Sequence, residues 1–315
     1  MTFNISYYLS ENLKNFSKFD EGRLANKGLL AIDNGVIGYD DIDTAKIKDG
    51  VSIYQIAGVQ FHCFTKLKEG QSKKIYVLLS GGRTPSKNGF SDTLPRFKRW
   101  SFYTAFDGNV LVFDDPMYFN HPKLAVGWFF GTKQCSYIDL LVKVVSKIAL
   151  ALNCTDICFY GSSSGGFASL CAAAKLNKSR GIAINPQLLL KNDWYATRFK
   201  EITNIDLSDN DEYYRNDLNY LVANSDSKFV IIQNLTDAKT VREHFIPFCR
   251  NMGLWPKYGL SEFQNVKTFV YNCQGGHVAY ENKKLLPFLL RLAYPEFNNE
   301  QIYISLSDIW SDYKK

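Results

Sequence analysis

From Lys74 onward the chain repeats one rhythm: a short apolar run, a polar loop, then a segment apolar at helical spacing. The runs Ile75–Leu79, Val110–Phe113, Ile157–Tyr160, Gly181–Ile184, Phe229–Gln233 and Thr268–Tyr271 are mostly Val, Ile and Phe. Their length and composition predict strands covered on both faces. Between them, Tyr137–Leu152, Gly166–Leu176, Val241–Asn251 and Asn282–Ala293 predict helices. Strands alternating with helices place the chain in the α/β class, with a mostly parallel, doubly wound sheet and helices on both faces. Upstream, Leu29–Ile32, Val51–Ala57 and Val59–Phe64 predict short strands, parted by the turn signals Asp33-Asn-Gly35 and Lys48-Asp-Gly50. They read as an antiparallel start to the same sheet. The expected organisation is an N-terminal extension with a short helix plus these strands over 1–70, the α/β core over 71–296, and a tail over 297–315. The segment Asn192–Asn224 interrupts the rhythm with polar and aromatic residues and reads as a small cap over the site.

Within this pattern, Asp156–Leu170 reads as strand, tight turn and helix, with Gly161-Ser-Ser-Ser-Gly165 at the turn. That spacing is the G-x-S-x-G of a nucleophile elbow. It lifts the central Ser163 clear of the sheet, although the serine triplet leaves Ser162 or Ser164 as the other registers. Glycines flank the bend because a Cβ at either place would strike the neighbouring backbone. The following helix turns its unpaired N–H groups toward the serine.

A serine hydroxyl needs a base near neutral pH, and a histidine oriented by a carboxylate supplies one. Of His62, His121, His244 and His277, the last follows the final predicted strand in Asn272-Cys-Gln-Gly-Gly-His277, a loop flexible enough to curl back. His277 is therefore the expected base and His244 its rival, able to line the pocket or to be a surface or packing histidine; His62 and His121 have no supporting context. Asp237, in the loop after Phe229–Gln233, is the expected orienting acid, with Asp226 and Asp193 as weaker substitutes. Ser163, Asp237 and His277 all fall after predicted strands, at the sheet end where such folds place ligands. An oxyanion hole needs two backbone N–H donors. One is expected from Ser164 and the other from Gly82 or Arg83, in Ser80-Gly-Gly-Arg83 after Ile75–Leu79. Gly81 allows close substrate approach, Arg83 can hold an anionic group, and Trp128 walls an acyl or sugar pocket or packs in the core. Asp114 and Asp115 are expected to cap or turn the chain.

Composition narrows the setting. The chain has 315 residues, 46% of them hydrophobic and 15% aromatic, with a formal charge of +6. There is no Lys/Arg run of nucleic-acid type, and the mild positive charge suits an anionic ligand. Seven cysteines at irregular spacing, Cys63, Cys135, Cys154, Cys158, Cys171, Cys249 and Cys273, read as buried free thiols in a reducing compartment. Cys154 and Cys158 have no companion pair, so no metal is implied. No leader and no membrane-spanning run is visible, so a soluble cytoplasmic protein is expected. A homo-oligomer is left open.

Four pieces carry a wider likeness: Tyr160-Gly-Ser-Ser-Ser-Gly-Gly-Phe167, Ala183-Ile-Asn-Pro-Gln187, Gln233-Asn-Leu-Thr-Asp237 with His244 behind it, and Gly276-His277. On these the chain resembles α/β-hydrolase-fold proteins encoded with bacterial capsule and surface-glycan genes. These include capsular polysaccharide O-acetyltransferases and hydrolase-like accessory proteins of glycoprotein secretion systems. The likeness runs from Lys74 to Ala293 and departs where Ala238–Val241 lacks the second histidine this family often has. It implies an α/β-hydrolase fold with Ser163, Asp237 and His277 as nucleophile, acid and base. It also implies no bound cofactor, acetyl-CoA as acyl donor, and a hydroxyl of a bacterial capsular or surface polysaccharide as acceptor. A carbohydrate esterase acting on a small ester is the same chemistry with water as acceptor. A non-catalytic glycan-binding or secretion-accessory role is the alternative from another class.

Overall fold

All six central apolar runs are strands, and alternation along each divides its side chains between two cores. In a computed structural model, which describes residues 27–87, 89–90, 94–208, 217–272, 276–277 and 286–294, they form β4 (Lys74–Leu79), β7 (Asn109–Phe113), β8 (Asp156–Ser162), β9 (Arg180–Ile184), β10 (Lys228–Asn234) and β12 (Val266–Tyr271). Ile75, Val77 and Leu79 of β4 enter one core with Leu111 and Phe113 of β7. Tyr76 and Leu78 enter the other with Val110, Val112, Cys158, Tyr160 and Ile182. Neighbouring pairs in this central block are all parallel. The remaining strands are β1 (Asp33–Gly38), β2 (Gly50–Ile56), β3 (Val59–Lys66), a two-residue hairpin of β5 (Pro85–Ser86) and β6 (Gly89–Phe90), and β11 (Gly259–Phe263). The large sheet has ten strands in the order β1-β2-β3-β7-β4-β8-β9-β10-β12-β11.

The N-terminal strands are antiparallel only in part. β3 runs antiparallel to both β2 and β7, but β1 pairs parallel with β2. The stretch from Tyr39 to Asp49 is long enough to return the chain to the same end of the sheet. The expected strand at Leu29–Ile32 does not form. Lys27–Leu30 make one helical turn, α1, and β1 starts at Asp33, inside the segment read as a turn. Gly35 has φ 72° and the β1–β2 register shifts between Asp33 and Val36. The Asn-Gly pair thus forms a bulge within a strand rather than ending one. β11 has no apolar run to announce it, being a half-exposed edge strand that returns against β12.

The helices follow their expected spans closely. They are α2 (Met117–Asn120), α3 (Tyr137–Ala151), α4 (Ser164–Lys175), α5 (Ala196–Thr203), α6 (Leu218–Ala223), α7 (Ala238–Thr240), α8 (Ile246–Asn251) and α9 (Leu286–Ala293). α3 is capped by Ser136 Oγ, which accepts from Asp139 N–H at 3.2 Å. It buries Ile138, Leu141, Val144, Val145 and Ile148 on one face. The expected Val241–Asn251 helix starts earlier, at α7, and opens into a π turn over Val241–Phe245 before α8. Pro247 has no N–H for the carbonyl of Glu243, which favours the wider turn there. In the segment expected to form a cap, α5 sets Phe199 against Trp128, with ring centroids 5.2 Å apart, and α6 packs on α4. Residues 209–216 of that segment, the N-terminal extension before Lys27, the first part of the Asn282–Ala293 helix and the tail after Tyr294 lie outside the described residues. Cys63, Cys154, Cys158, Cys171 and Cys249 are buried free thiols, Cys135 is half-buried and free, and Cys273 lies outside the described residues. Among the described residues no helix is long and apolar enough to cross a membrane.

The crossing of α4 over β4 is close. A Cβ on Gly165 would lie 2.4 Å from the Leu79 carbonyl oxygen and 3.0 Å from the Ser80 backbone. Gly165→Ala should therefore lower stability by at least about 2 kcal/mol through overpacking against backbone. The check is the urea midpoint, and an unchanged midpoint would contradict this packing.

Candidate functional site

β8 ends at Ser162 and α4 begins at Ser164, so the whole change of direction falls on Ser163. Its backbone sits at φ 54°, ψ −124°. A residue with a side chain adopts that region at a cost of about 1–3 kcal/mol, so the surroundings must impose it. Ser163 N–H donates to Ile184 O at 3.0 Å, and Ser163 O accepts from Phe167 N–H at 3.1 Å and Gln187 N–H at 3.4 Å. A Cβ on Gly161 would lie 2.3 Å from Gly165 O, so the bend closes only with glycine there. The three serines also differ in their surroundings. Ser162 and Ser164 are buried while Ser163 is partly exposed, and the Ser162 hydroxyl is bonded to the Arg99 guanidinium.

Two loops at the same end of the sheet bring up the partners. His277 Nε2 lies 2.8 Å from Ser163 Oγ, and His277 Nδ1 lies 2.6 Å from Asp237 Oδ2. With Nδ1–H donating to the carboxylate, the neutral ring leaves Nε2 free to accept from the serine hydroxyl. Asp237 also caps α7, accepting from Thr240 N–H at 3.3 Å. Burial raises its carboxyl pKa, but the hydrogen bond from His277, the positive charge the imidazole carries when it is protonated, and the bonds from Thr240 outweigh that and hold it below the usual value. The His277 loop has its own brace. Asn234 Nδ2 donates to Gly276 O at 3.0 Å, and Asn234 N–H donates to Asn185 Oδ1 at 2.8 Å. The Asn-Pro-Gln piece after β9 and the Gln-Asn piece ending β10 are thus joined under the site.

Solved structures share this architecture. The chain matches a glycosylation-associate protein (Gap123) complex from Streptococcus agalactiae at 16% identity and TM-score 0.51, covering 72% of this chain and 43% of that one. It matches dipeptidyl peptidase 4 of Porphyromonas gingivalis at 13% and 0.50, covering 77% and 34%. The capsule O-acetyltransferase of Neisseria meningitidis serogroup A matches at 17% and 0.48, covering 83% and 96%. The chain has the α/β-hydrolase fold. No family model matches the chain, and no curated protein matches it in sequence.

In this α/β-hydrolase fold the loop after β4 runs beside the elbow. A Cβ on Gly81 would stand 3.0 Å from Ser162 O and 3.9 Å from Ser163 Cβ, so the loop abuts the elbow. Ser164 leads α4, where a first-turn N–H has no partner within the helix. Arg83 needs correcting as a second donor: its N–H is committed to Ala125 O at 2.7 Å. Gly82 N–H has no acceptor among the described residues. The Arg83 guanidinium stacks 3.8 Å over Phe90 and donates to Pro122 O at 2.9 Å.

Trp128 and His244 also need correcting. Trp128 is wholly buried, packs on Phe199, and donates its indole N–H to Gln187 Oε1 at 2.8 Å. It is core and does not wall an open pocket. His244 is 2% exposed, turned inward by the π turn. Its Nδ1 accepts from Leu189 N–H at 3.2 Å, and its Nε2 lies 3.2 Å from Asp193 Oδ2, too poorly aligned to count as a hydrogen bond. That separate His–Asp couple occupies both residues. Asp226 is exposed ahead of β10, at the strand end away from Asp237. His62 stacks on Phe119 at 4.1 Å, and His121 ends α2. Asp115 turns the chain as expected, accepting from Met117 N–H at 2.9 Å and Phe129 N–H at 2.8 Å. Asp114 does more, forming a buried pair with Arg96 at 3.0 Å. Arg96, Lys98 and Arg99 also reach the site, to the Gly81 and Gly82 carbonyls and the Ser162 hydroxyl, and their signal in the sequence is three cations interleaved with Phe97 and Trp100.

The Asp237 carboxyl sets a pH dependence of stability. Its folded pKa is depressed, so its contribution is fully present above the unfolded value near about 4 and is lost as pH falls through the lower folded value. Asp237→Asn lacks that contribution. The Tm gap between the native chain and the variant should narrow as pH is lowered from about 6 to about 2. A gap constant with pH in calorimetric scans would contradict the assignment.

Proposed function

We propose that the chain is a serine acyl-transfer enzyme in which Ser163 is the nucleophile, His277 the general base and Asp237 the residue that orients it. The observation that supports this best is the continuous row from Ser163 Oγ through both His277 nitrogens to Asp237 Oδ2, at 2.8 and 2.6 Å. His277 Nε2 takes the hydroxyl proton as Ser163 Oγ attacks an ester or thioester carbonyl. The oxyanion forms beside the N–H groups of Ser164 and Gly82. Nε2–H then protonates the departing thiol or alcohol, leaving an acyl-serine. An acceptor hydroxyl gives its proton to His277 Nε2 as it attacks the acyl carbon; the bond from that carbon to Ser163 Oγ then breaks, Nε2–H returns the proton to Oγ, and the acceptor leaves as the new ester.

The acyl group is acetyl and the donor acetyl-CoA, with a hydroxyl of a bacterial capsular or surface polysaccharide as acceptor. Support for these finer assignments is the likeness carried by the four sequence pieces, and a formal charge of +6 that suits an anionic donor or glycan. One observation favours an esterase as the second reading. The His277 side chain is 44% exposed, so water reaches the imidazole.

A fluorophosphonate probe should label the native chain stoichiometrically and fail on Ser163→Ala. Both Ser163→Ala and His277→Ala should lose at least about 10⁴-fold in kcat on an activated ester. Absence of labelling in the native chain would remove the enzyme reading in favour of a binding role. With acetyl-CoA and a panel of de-O-acetylated capsular polysaccharides, transfer predicts CoA release that rises with acceptor and acetyl recovered on the glycan. Release to water indifferent to any acceptor would replace the transferase with an esterase.

A further inference from the structure

We infer that Arg96 is a positioning residue for this reaction: held by Asp114, it aims the Gly82 N–H at the developing oxyanion. The inference rests on the reading of Ser163 as nucleophile. Arg96 Nη2 donates to Gly81 O at 2.9 Å and Nη1 donates to Gly82 O at 3.0 Å. The carbonyl of Gly81 and the N–H of Gly82 belong to one planar trans peptide and point in opposite directions. Fixing the oxygen on the guanidinium therefore turns the N–H away from it. The same rule applied one residue on accounts for Arg83, whose N–H is directed at Ala125 O while Gly82 O is held by Arg96. Two successive glycines impose no orientation of their own, so the direction of the donor has to come from outside the loop.

The anchor is built for direction. Arg96 is 3% exposed and Asp114 0% in their side chains. Asp114 Oδ1 accepts from Arg96 Nη2 at 3.0 Å and Nε at 3.3 Å, and Asp114 Oδ2 accepts from Arg96 N–H at 2.6 Å. The carboxylate thus holds both the backbone and the head of the arginine. The Tyr118 ring lies 4.8 Å from the guanidinium, and its hydroxyl donates to Gly81 O at 3.3 Å. Lys98 Nζ adds a bond to Gly82 O at 2.8 Å. A buried ion pair is a poor source of net stability, because desolvation offsets its attraction. A planar fork reaching two adjacent carbonyls is what fixes a peptide plane, and lysine cannot reproduce it.

The test compares an activated acetyl ester with its thionoester, whose sulfur anion is a poorer acceptor for oxyanion donors. Arg96→Lys should lower kcat for the ester by about 10²-fold or more, with KM held within about threefold. The ester-to-thionoester rate ratio should fall with it, while near-UV circular dichroism stays native. Asp114→Asn, which removes the charge holding Arg96 and sets an amide NH2 against one of its donors, should move the same ratio in the same direction and serves where the lysine variant does not fold. Ile148→Val, a core change near the C-terminal end of α3 and at the opposite end of the sheet from the donors, should lower Tm without moving the ratio. If Arg96→Lys keeps the ratio, whether or not it loses Tm or kcat, the arginine is only structural and the proposal falls. If the native chain is not acylated by ester or fluorophosphonate at all, the nucleophile reading falls first and this one with it.

Discussion

The backbone at Ser163 is the constraint on which the rest of the molecule depends. A non-glycine residue at φ 54° is uphill by itself, and nothing within the pentapeptide pays that cost. The conformation is enforced by a strand and a helix that must cross within van der Waals distance. Gly161 removes the Cβ that would hold β8 off α4, and Gly165 the one that would hold α4 off the end of β4. Ile184 and Gln187, from the next strand and its loop, then bond the Ser163 peptide from the far side. The strained residue is thereby locked between β8, α4 and β9, with its hydroxyl the partly exposed one of three adjacent serines.

The walls of the site are held by buried polar anchors. Packing alone positions strands well, but a loop needs directional contacts to fix its peptide planes. Asn185 and Asn234 tie the loops after β9 and β10 together and reach Gly276 beside His277. Arg96 and Asp114 hold the glycine pair after β4. Asp115 receives two N–H groups that stabilise the turn into Trp128 and Phe129, both at positive φ. Asp114, Asp115, Asn185 and Asn234 lie at the C-terminal ends of β7, β9 and β10, where successive loops meet, and Arg96 reaches Asp114 from the loop ahead of β7.

Much of the central sheet was legible because its strands are buried on both faces. Apolar runs such as Ile75–Leu79 and Phe229–Gln233 need no tertiary information to be recognised. The periphery was less so. β11 is half-exposed and its Gly-Leu-Ser-Glu-Phe carries no apolar run, while Asp33-Asn-Gly35 has the chemistry of a turn yet lies in a bulged strand. Ser163, Asp237 and His277 could be picked out because each follows a recognisable strand. Their convergence into one row is a property of the three-dimensional chain. Trp128 and His244 show the reverse, being residue types that suit a pocket but face inward.

By itself the sequence determined the α/β alternation, the tight elbow and the loops from which polar groups are presented. These follow from burial, periodicity and the steric needs of glycine, all of which act over a few residues. Only the tertiary structure decided that Ser163 is the serine within reach of His277, that His244 pairs with Asp193 instead, and that Arg96 and Asp114 brace the glycine loop. Those outcomes depend on which side chains share a buried space after distant strands pair, and hydrogen-bond direction across that space has no counterpart in local sequence.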